Sequence, residues 1–249
     1  MAGSIRRNPR LGGTKVAVIV PSVNTTIEAE LYGAGLDGIS FHTARVLLRE
    51  TTPAGLRDMN REVDQAARLL ATTDPHVLVY ACTSGSFLDG WEALQRQLAQ
   101  LGEIAGCPVV ATSAAMIGAV AHLGVRRVAL ATPYVDSVNV LERLFFESRG
   151  ISVVACRGLG LSGRAIRAVE PDRVVDLVRE TDHRDAEAVY VSCTDLRALE
   201  AVDILEAELG KPVLTSNQVT LWALLRACGW SGTLPGHGRL LASVEGPRG

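Results

Sequence analysis

The chain contains its own sequence twice. Val16-Ala-Val-Ile-Val-Pro-Ser-Val-Asn24 returns as Val128-Ala-Leu-Ala-Thr-Pro-Tyr-Val-Asp136, with Pro21 and Pro133 112 positions apart. Val79-Tyr80-Ala81-Cys82-Thr83 returns as Val191-Ser192-Cys193-Thr194, with the cysteines 111 apart. Cys107-Pro-Val-Val-Ala-Thr-Ser113 returns as Lys211-Pro-Val-Leu-Thr-Ser-Asn217, 104 apart. Three anchors at a nearly constant offset imply a duplicated unit. The expected halves are 14–124 and 125–229, with terminal extensions at 1–13 and 230–249.

Within each half, short β-branched runs alternate with amphipathic stretches. Val16–Val20 precedes a helical pattern over Asn24–Tyr32. Ser40–Leu47 precedes Ala54–Ala71, where Leu56, Met59, Val63, Ala67 and Leu70 fall at helical spacing. Thr52-Pro53 supplies a cap followed by proline at the first helical position. His76–Ala81 is strand-like and precedes a helical pattern over Leu88–Leu101, and Val109–Thr112 leads into Ala114–Leu123. Strands alternating with helices of these lengths require crossover connections, hence parallel sheet. The fold class is α/β, two pseudo-symmetric parallel-sheet halves with the site at their interface.

Composition narrows the function. The 249 residues carry 25 Lys+Arg against 27 Asp+Glu. That balance excludes an ordinary electrostatic nucleic-acid binder. No apolar run reaches the length of a membrane span, so no membrane partner is expected. The basic segment 1–13 has no apolar block behind it and does not read as a signal peptide. Five cysteines without an export signal point to reduced thiols in the cytoplasm.

In open parallel sheets ligands bind beyond the carboxyl ends of the strands. The segments expected there are Pro21–Thr26, Cys82–Ser86, Thr112-Ser113, Thr132–Tyr134, Cys193-Thr194 and Thr215–Asn217. They are rich in hydroxyls, amides and thiols and contain no Lys, Arg or His. Loops that open helices offer free N–H groups and a positive dipole end. The implied ligand is a small carboxylate held by neutral donors. Cys82 and Cys193, equivalent in the two halves, would converge on it from opposite sides. A helix N-terminus would hold each as a thiolate at neutral pH. Two such groups can pass protons across a carbon, or one can attack while the other moves the proton. Free cysteines are more often core residues, but the duplicated position after a strand argues against that for this pair. Cys107, Cys156 and Cys228 lack the context and are assigned to structure.

Weaker signals point elsewhere. Gly158-Leu-Gly-Leu-Ser-Gly163 spells a dinucleotide loop, yet Pro171 interrupts the following helical pattern and no acidic strand end follows. Neither a C-x-x-C pair nor a histidine cluster is present. Lys15 and Lys211 both stand before strands, at the wrong end of the sheet for a pyridoxal enzyme. No cofactor and no metal are expected.

The motifs resemble a known family. Two α/β halves with one strand-end cysteine each resemble the aspartate/glutamate racemase superfamily. Val20-Pro-Ser-Val-Asn-Thr-Thr-Ile-Glu28 is similar to the signature of the maleate cis-trans isomerase family. Ala81-Cys-Thr-Ser-Gly-Ser-Phe87, Thr132-Pro-Tyr134 and Ser192-Cys193 also fit that family and its relative arylmalonate decarboxylase. The resemblance implies Cys82 as nucleophile or base and Cys193 as its partner acid/base. It implies that Asn24 and Tyr134 bind a substrate carboxylate, with Thr83, Ser84 and Thr194 completing an oxyanion pocket. Ser22 joins the substrate-binding candidates, and Arg164 is a candidate for a second carboxylate. The decarboxylase uses one cysteine, equivalent to Cys193, and has a small residue at the place of Cys82. Two cysteines therefore favour an isomerase or racemase.

The reading that follows is a cofactor-independent cis-trans isomerase of a small dicarboxylate, of the maleate-to-fumarate type. The alternative enzyme is a racemase or decarboxylase of a substituted carboxylate acting through an enolate. A non-enzymatic anion-binding module is the third reading, in which two thiols facing one ligand would have no use. The expected partner is a small carboxylate substrate, and homo-oligomerisation stays open.

Overall fold

The structure, a computed structural model, describes residues 12–242 and 244–245. The expected extension 1–13 lies almost entirely outside the described residues. Among the described residues, β1 (Thr14–Pro21), β2 (Ile39–Val46), β3 (Val77–Tyr80) and β4 (Val109–Ala111) form one sheet, and β5 (Arg127–Tyr134), β6 (Ser152–Leu161), β7 (Ala188–Val191) and β8 (Val213–Thr215) form a second. Their orders are β2-β1-β3-β4 and β6-β5-β7-β8, with every pairing parallel. The duplication seen in the sequence is thus a duplication of topology. Val16–Val20 and Val77–Tyr80 are fully buried, as are Val128–Ala131. Continuous apolar runs of this kind are what a parallel sheet covered on both faces requires.

The helices are α1 (Ile27–Gly33), α2 (Pro53–Asn60), α3 (Val63–Ala71), α4 (Thr83–Phe87), α5 (Trp91–Ala105), α6 (Thr112–His122), α7 (Asp136–Ser148), α8 (Pro171–Thr181), α9 (Val202–Leu209), α10 (Ser216–Ala227) and α11 (Gly238–Leu241). The Thr52 hydroxyl accepts the Gly55 N–H at 3.2 Å, so the cap-proline signal starts α2 as read. The stretch expected as one helix over Ala54–Ala71 is two. The chain turns at Arg61-Glu62, whose N–H groups reach back only to Asp58 and Met59, and Glu62 instead accepts the Leu47 N–H at 3.0 Å. Thr215 and Gln218 form a capping box at the start of α10.

α6 and α10, equivalent in the two halves, pack against each other, and α10 also reaches β3 and β4. Thr220 Oγ1 donates to Thr112 Oγ1 at 2.9 Å across this contact. The described part of the Gly/Pro-rich tail packs on the second half: Gln218 Nε2 donates to the His237 carbonyl at 2.6 Å, and Leu240, Leu241 and Val244 are buried. Gly158 and Gly160 lie inside β6, so the dinucleotide-like motif forms no phosphate loop. A Cβ at Gly158 would meet Asn139 Nδ2 at 2.3 Å and the Tyr134 carbonyl at 2.6 Å, which explains the glycine by packing.

Candidate active site

Each sheet reverses its strand order beside its first strand, so the ends of β1, β3, β5 and β7 open onto the same space. A cavity of about 20 Å³ lies there, room for about one water. Asn24, Cys82, Thr83, Ser84, Tyr134, Cys193 and Thr194 line it. Seven of the nine candidate residues are therefore gathered at one point, from loops up to 170 positions apart in the chain.

Cys82 caps α4. Its sulfur accepts the Gly85 N–H at 3.3 Å and lies 3.9 Å from Ser84 Oγ. Gly85 is required: a Cβ there would meet Tyr80 Oη at 2.3 Å and Cys82 Sγ at 3.0 Å. Tyr80, hydrogen-bonded to Cys82, donates its hydroxyl to Asn60 Oδ1 at 2.5 Å. Burial pushes the Cys82 thiol up to about 11, against the opposing bonds from Gly85, Ser84 and Tyr80. The resting group is a thiol, which corrects the expected thiolate. The helix it caps has five residues, and its short dipole does not offset complete desolvation.

Cys193 is held differently. No helix starts at it, and its backbone sits at φ +95°, a region that non-glycine residues rarely occupy. Its N–H donates to Ser216 Oγ at 2.9 Å, and its sulfur accepts the Asp195 N–H at 3.4 Å. Burial pushes this thiol far above its ordinary value, and the Asp195 carboxylate adds to the effect. The Asp195 amide and the Tyr134 hydroxyl oppose it. The expectation of two helix-capping thiols thus holds for Cys82 alone.

The neutral donors are partly engaged with one another. Asn24 Oδ1 accepts the N–H groups of Thr26 and Ile27 at 3.0 and 3.1 Å, so Asn24 caps α1. Its Nδ2 donates to Thr194 Oγ1 at 2.9 Å, and Thr194 in turn donates to the Ala81 carbonyl at 3.2 Å. Thr83 Oγ1 donates to Ser216 Oγ at 2.9 Å. The amides of Thr83 and Ser84 occupy the first two positions of α4, where a helix offers no internal acceptor. Tyr134 is buried, with its hydroxyl against Ser192 and Cys193.

Ser22 and Arg164 are not brought to the cavity. Both line an outer groove with Leu47 and Arg49. Ser22 Oγ accepts the Leu48 N–H at 3.0 Å and so holds the chain beyond β2, while Arg164 is exposed. Sequence reasoning missed Asp195, Thr51, Leu48 and Ile166, which also line the cavity. Asp195 accepts the Thr25 N–H at 2.8 Å and ties the second half to the first. It stands two residues after Cys193 and could have been found by reading that loop further. Thr51 and Leu48 come from the loop after β2, and Ile166 from the loop after β6. The two loops are joined reciprocally: Thr51 N donates to Ser162 Oγ at 2.7 Å, and Gly163 N donates to Thr51 Oγ1 at 3.2 Å.

The model of the arylmalonate decarboxylase family matches residues 16–241. The chain belongs to this family. An arylmalonate decarboxylase from Bordetella bronchiseptica is 33% identical over 230 residues, covering 90% of this chain and 95% of that relative. A maleate isomerase from Nocardia farcinica is 27% identical over 245 residues, covering 93% of this chain and 96% of the relative. The solved structure of a variant of the Nocardia farcinica maleate cis-trans isomerase superposes with a TM-score of 0.89 at 25% identity. The match covers 93% of this chain and 99% of that one, and the variant carries a covalently bound succinylcysteine intermediate. The family and its isomerase members thus agree with the resemblance read from the strand-end motifs.

Proposed function

We propose that this family member is a cofactor-independent cis-trans isomerase of a small dicarboxylate of the maleate type, with Cys82 as nucleophile and Cys193 as proton carrier. The observation that carries the reading is the placement of both buried thiols in one cavity whose lining holds no Lys, Arg or His. Hydrogen bonds to an ionised acceptor contribute ~1.5–3 kcal/mol each, so several neutral donors can replace one cation. The amides of Thr83 and Ser84 are the donors best placed for a carboxylate, and the Tyr134 hydroxyl stays with Cys193.

The chemistry follows from the two thiols. Cys82 releases its proton to solvent before the site closes on the substrate, and its thiolate forms a bond from sulfur to one alkene carbon. The π electrons pass to the other carbon and its carboxylate. The Cys193 thiol gives that carbon its proton, leaving a thioether with a freely rotating C–C single bond. After rotation Cys193 takes the proton back, the C–S bond breaks, and the trans product leaves. A cavity of about 20 Å³ cannot hold a four-carbon diacid, so the lining must move apart to admit it. The free thiols suit a reducing compartment, and we place the enzyme in the cytoplasm. Among the described residues no helix is long and apolar enough to cross a membrane.

The test is proton NMR in heavy water with maleate and with an arylmalonate. Conversion of maleate to its trans isomer supports the reading. Loss of carbon dioxide from the arylmalonate without isomerisation of maleate would replace it with the second reading, a decarboxylase. That reading draws on the family match and on the apolar cover formed by Val23, Leu48 and Ile166.

A further inference from the structure

Glu142 has no part in the chemistry above, yet it is a fully buried carboxyl group beside the Cys193 loop. It lies on the inner face of α7 with the buried Val138, Phe145 and Phe146, and is fully buried itself. Ser192 Oγ and Glu142 Oε1 are hydrogen-bonded at 2.6 Å, while Oε2 has no hydrogen-bond partner. The neighbouring Arg143 pairs with Glu147 instead. An ionised carboxylate with one donor and no cation is costly in such a place. Ser192 is the residue before Cys193, and the Tyr134 hydroxyl lies against both.

We propose that Glu142, as the neutral acid, is a positioning residue that aligns a hydrogen-bond chain Glu142–Ser192–Tyr134–Cys193, with each proton directed toward the Cys193 sulfur. The proposal rests on the reading that Cys193 carries the proton. The acid O–H of Glu142 donates to Ser192 Oγ. Ser192 has one hydroxyl proton and passes its donation to Tyr134 Oη, and Tyr134 donates to the sulfur. That direction stabilises the Cys193 thiolate formed when the thiol gives up its proton. An ionised Glu142 would claim the Ser192 proton for itself, leave Tyr134 without that donor, and bring a negative charge toward Cys193.

The groups facing Glu142 set when this reversal happens. They are Tyr134 on β5, Tyr190 on β7 and Cys156 on β6. α4, which packs on α7, carries no titratable side chain. Burial pushes the Glu142 carboxyl up to about 8, against the Ser192 bond. The chain is therefore aligned at neutral pH and reverses above about pH 8.

The experiment compares the wild type with Glu142→Gln, Glu142→Leu and Ser192→Ala in two readouts. One is the pH profile of kcat and KM with maleate. The other is the carbamidomethylation rate of Cys193 by iodoacetamide, read by peptide mass spectrometry, which reports thiolate fraction without turnover. Glu142→Leu and Ser192→Ala should lower kcat about tenfold at pH 7, the loss of about one such bond, with KM little changed. They should lower the Cys193 alkylation rate in parallel. Glu142→Gln keeps a donor to Ser192 and should recover most of that loss. In the wild type the alkylation rate should rise less than tenfold per pH unit above pH 8, and in Glu142→Gln a full tenfold. Equal alkylation rates and pH slopes in all four folded proteins would overturn the proposal. If Cys193→Ala keeps normal turnover while Cys193 alkylation still follows Glu142, the chain stands and the assignment of Cys193 as proton carrier falls.

Discussion

The two cysteine loops start from the same sequence signal and are built in opposite ways. In the first half, Cys82 keeps ordinary extended dihedrals, caps a short helix and receives a backbone N–H on its sulfur. In the second half, Cys193 sits at φ +95° with no helix behind it, pinned by Ser216 on one side and Asp195 on the other. A strained residue at such a place is held by its surroundings because its position matters. Burial raises both thiols, but less for Cys82, to about 11, than for Cys193. A duplicated fold has thus produced one sulfur easier to ionise and one that holds its proton. That is the division of labour a nucleophile and a proton carrier need.

Removing either sulfur is the largest test of this asymmetry. Cys82→Ala and Cys193→Ala should each cost at least ~10³ in kcat, the usual contribution of positioned nucleophilic and acid–base groups. Cys107→Ala, Cys156→Ala and Cys228→Ala should change it less than threefold. The sharper form uses intact-protein mass spectrometry with maleate. Cys193→Ser should accumulate a thioether on Cys82, and Cys82→Ser should accumulate none on Cys193. Adducts on both sulfurs with equal yield would erase the distinction between the halves.

Gly85→Ala perturbs only the first loop. A Cβ would press on Tyr80 Oη and Cys82 Sγ, with no room to move away from the backbone. Displacing a reacting atom by about 1 Å can cost ~10², so kcat should fall roughly a hundredfold with the Cys193 alkylation rate unchanged. A variant with normal kcat would show that the Cys82 position is not set by this contact. The rate should also rise with pH from 6 to 8, because Cys82 must lose a proton held up to about 11.

The likeness of the halves was legible in the sequence and their difference was not. Strand runs, the Thr52-Pro53 start and the Cys82/Cys193 equivalence depend on local pattern, and local pattern is what a sequence displays directly. The positive φ of Cys193 depends on Ser216, 23 residues on, and on a clamp between Asp195 and Thr25 across 170 residues. Nothing in Ser-Cys-Thr-Asp predicts those contacts. The cavity cover was missed for the same reason, since Thr51 and Ser162 meet across 111 residues. Arg164 and Ser22 show the converse error: loops adjacent in sequence to site residues present them to an outer groove.

Tyr134→Phe asks what this hydroxyl of the second half contributes. It removes one hydroxyl from the chain that ends on Cys193, and kcat/KM should fall roughly tenfold. Arg164→Gln should cost less than threefold, because Arg164 is exposed in the outer groove. A larger loss for Arg164→Gln than for Tyr134→Phe would mean that a cation reaches the substrate when the cover opens. The neutral-donor reading would then be wrong.

The smallest effect concerns stability, and again the halves differ. Each holds a carboxyl that burial pushes up strongly. In the first half Glu30 accepts Asn217 Nδ2 at 2.6 Å and is pushed up to about 7 by burial, with Asn217 opposing. In the second half Glu142 is pushed up to about 8. Both rise above the ordinary value of 4.5. Between that value and the folded one, the folded state keeps a proton that the unfolded chain has released. Their stabilising share is therefore complete below about pH 4.5 and is lost as pH rises, through about 7 for Glu30 and about 8 for Glu142. Raising the pH from 6 to 9 should lower the wild-type Tm by roughly 10 °C on their account, since one pKa unit is ~1.36 kcal/mol and 1 kcal/mol moves Tm by ~2–4 °C in a chain this size. Glu142→Gln should remove more of that slope than Glu30→Gln, and the remainder should end near pH 7. Thermal denaturation of the three proteins across this range decides it. An unchanged slope in Glu142→Gln would mean that Glu142 is already ionised in the folded protein at neutral pH. The hydrogen-bond chain to Cys193 would then run the other way.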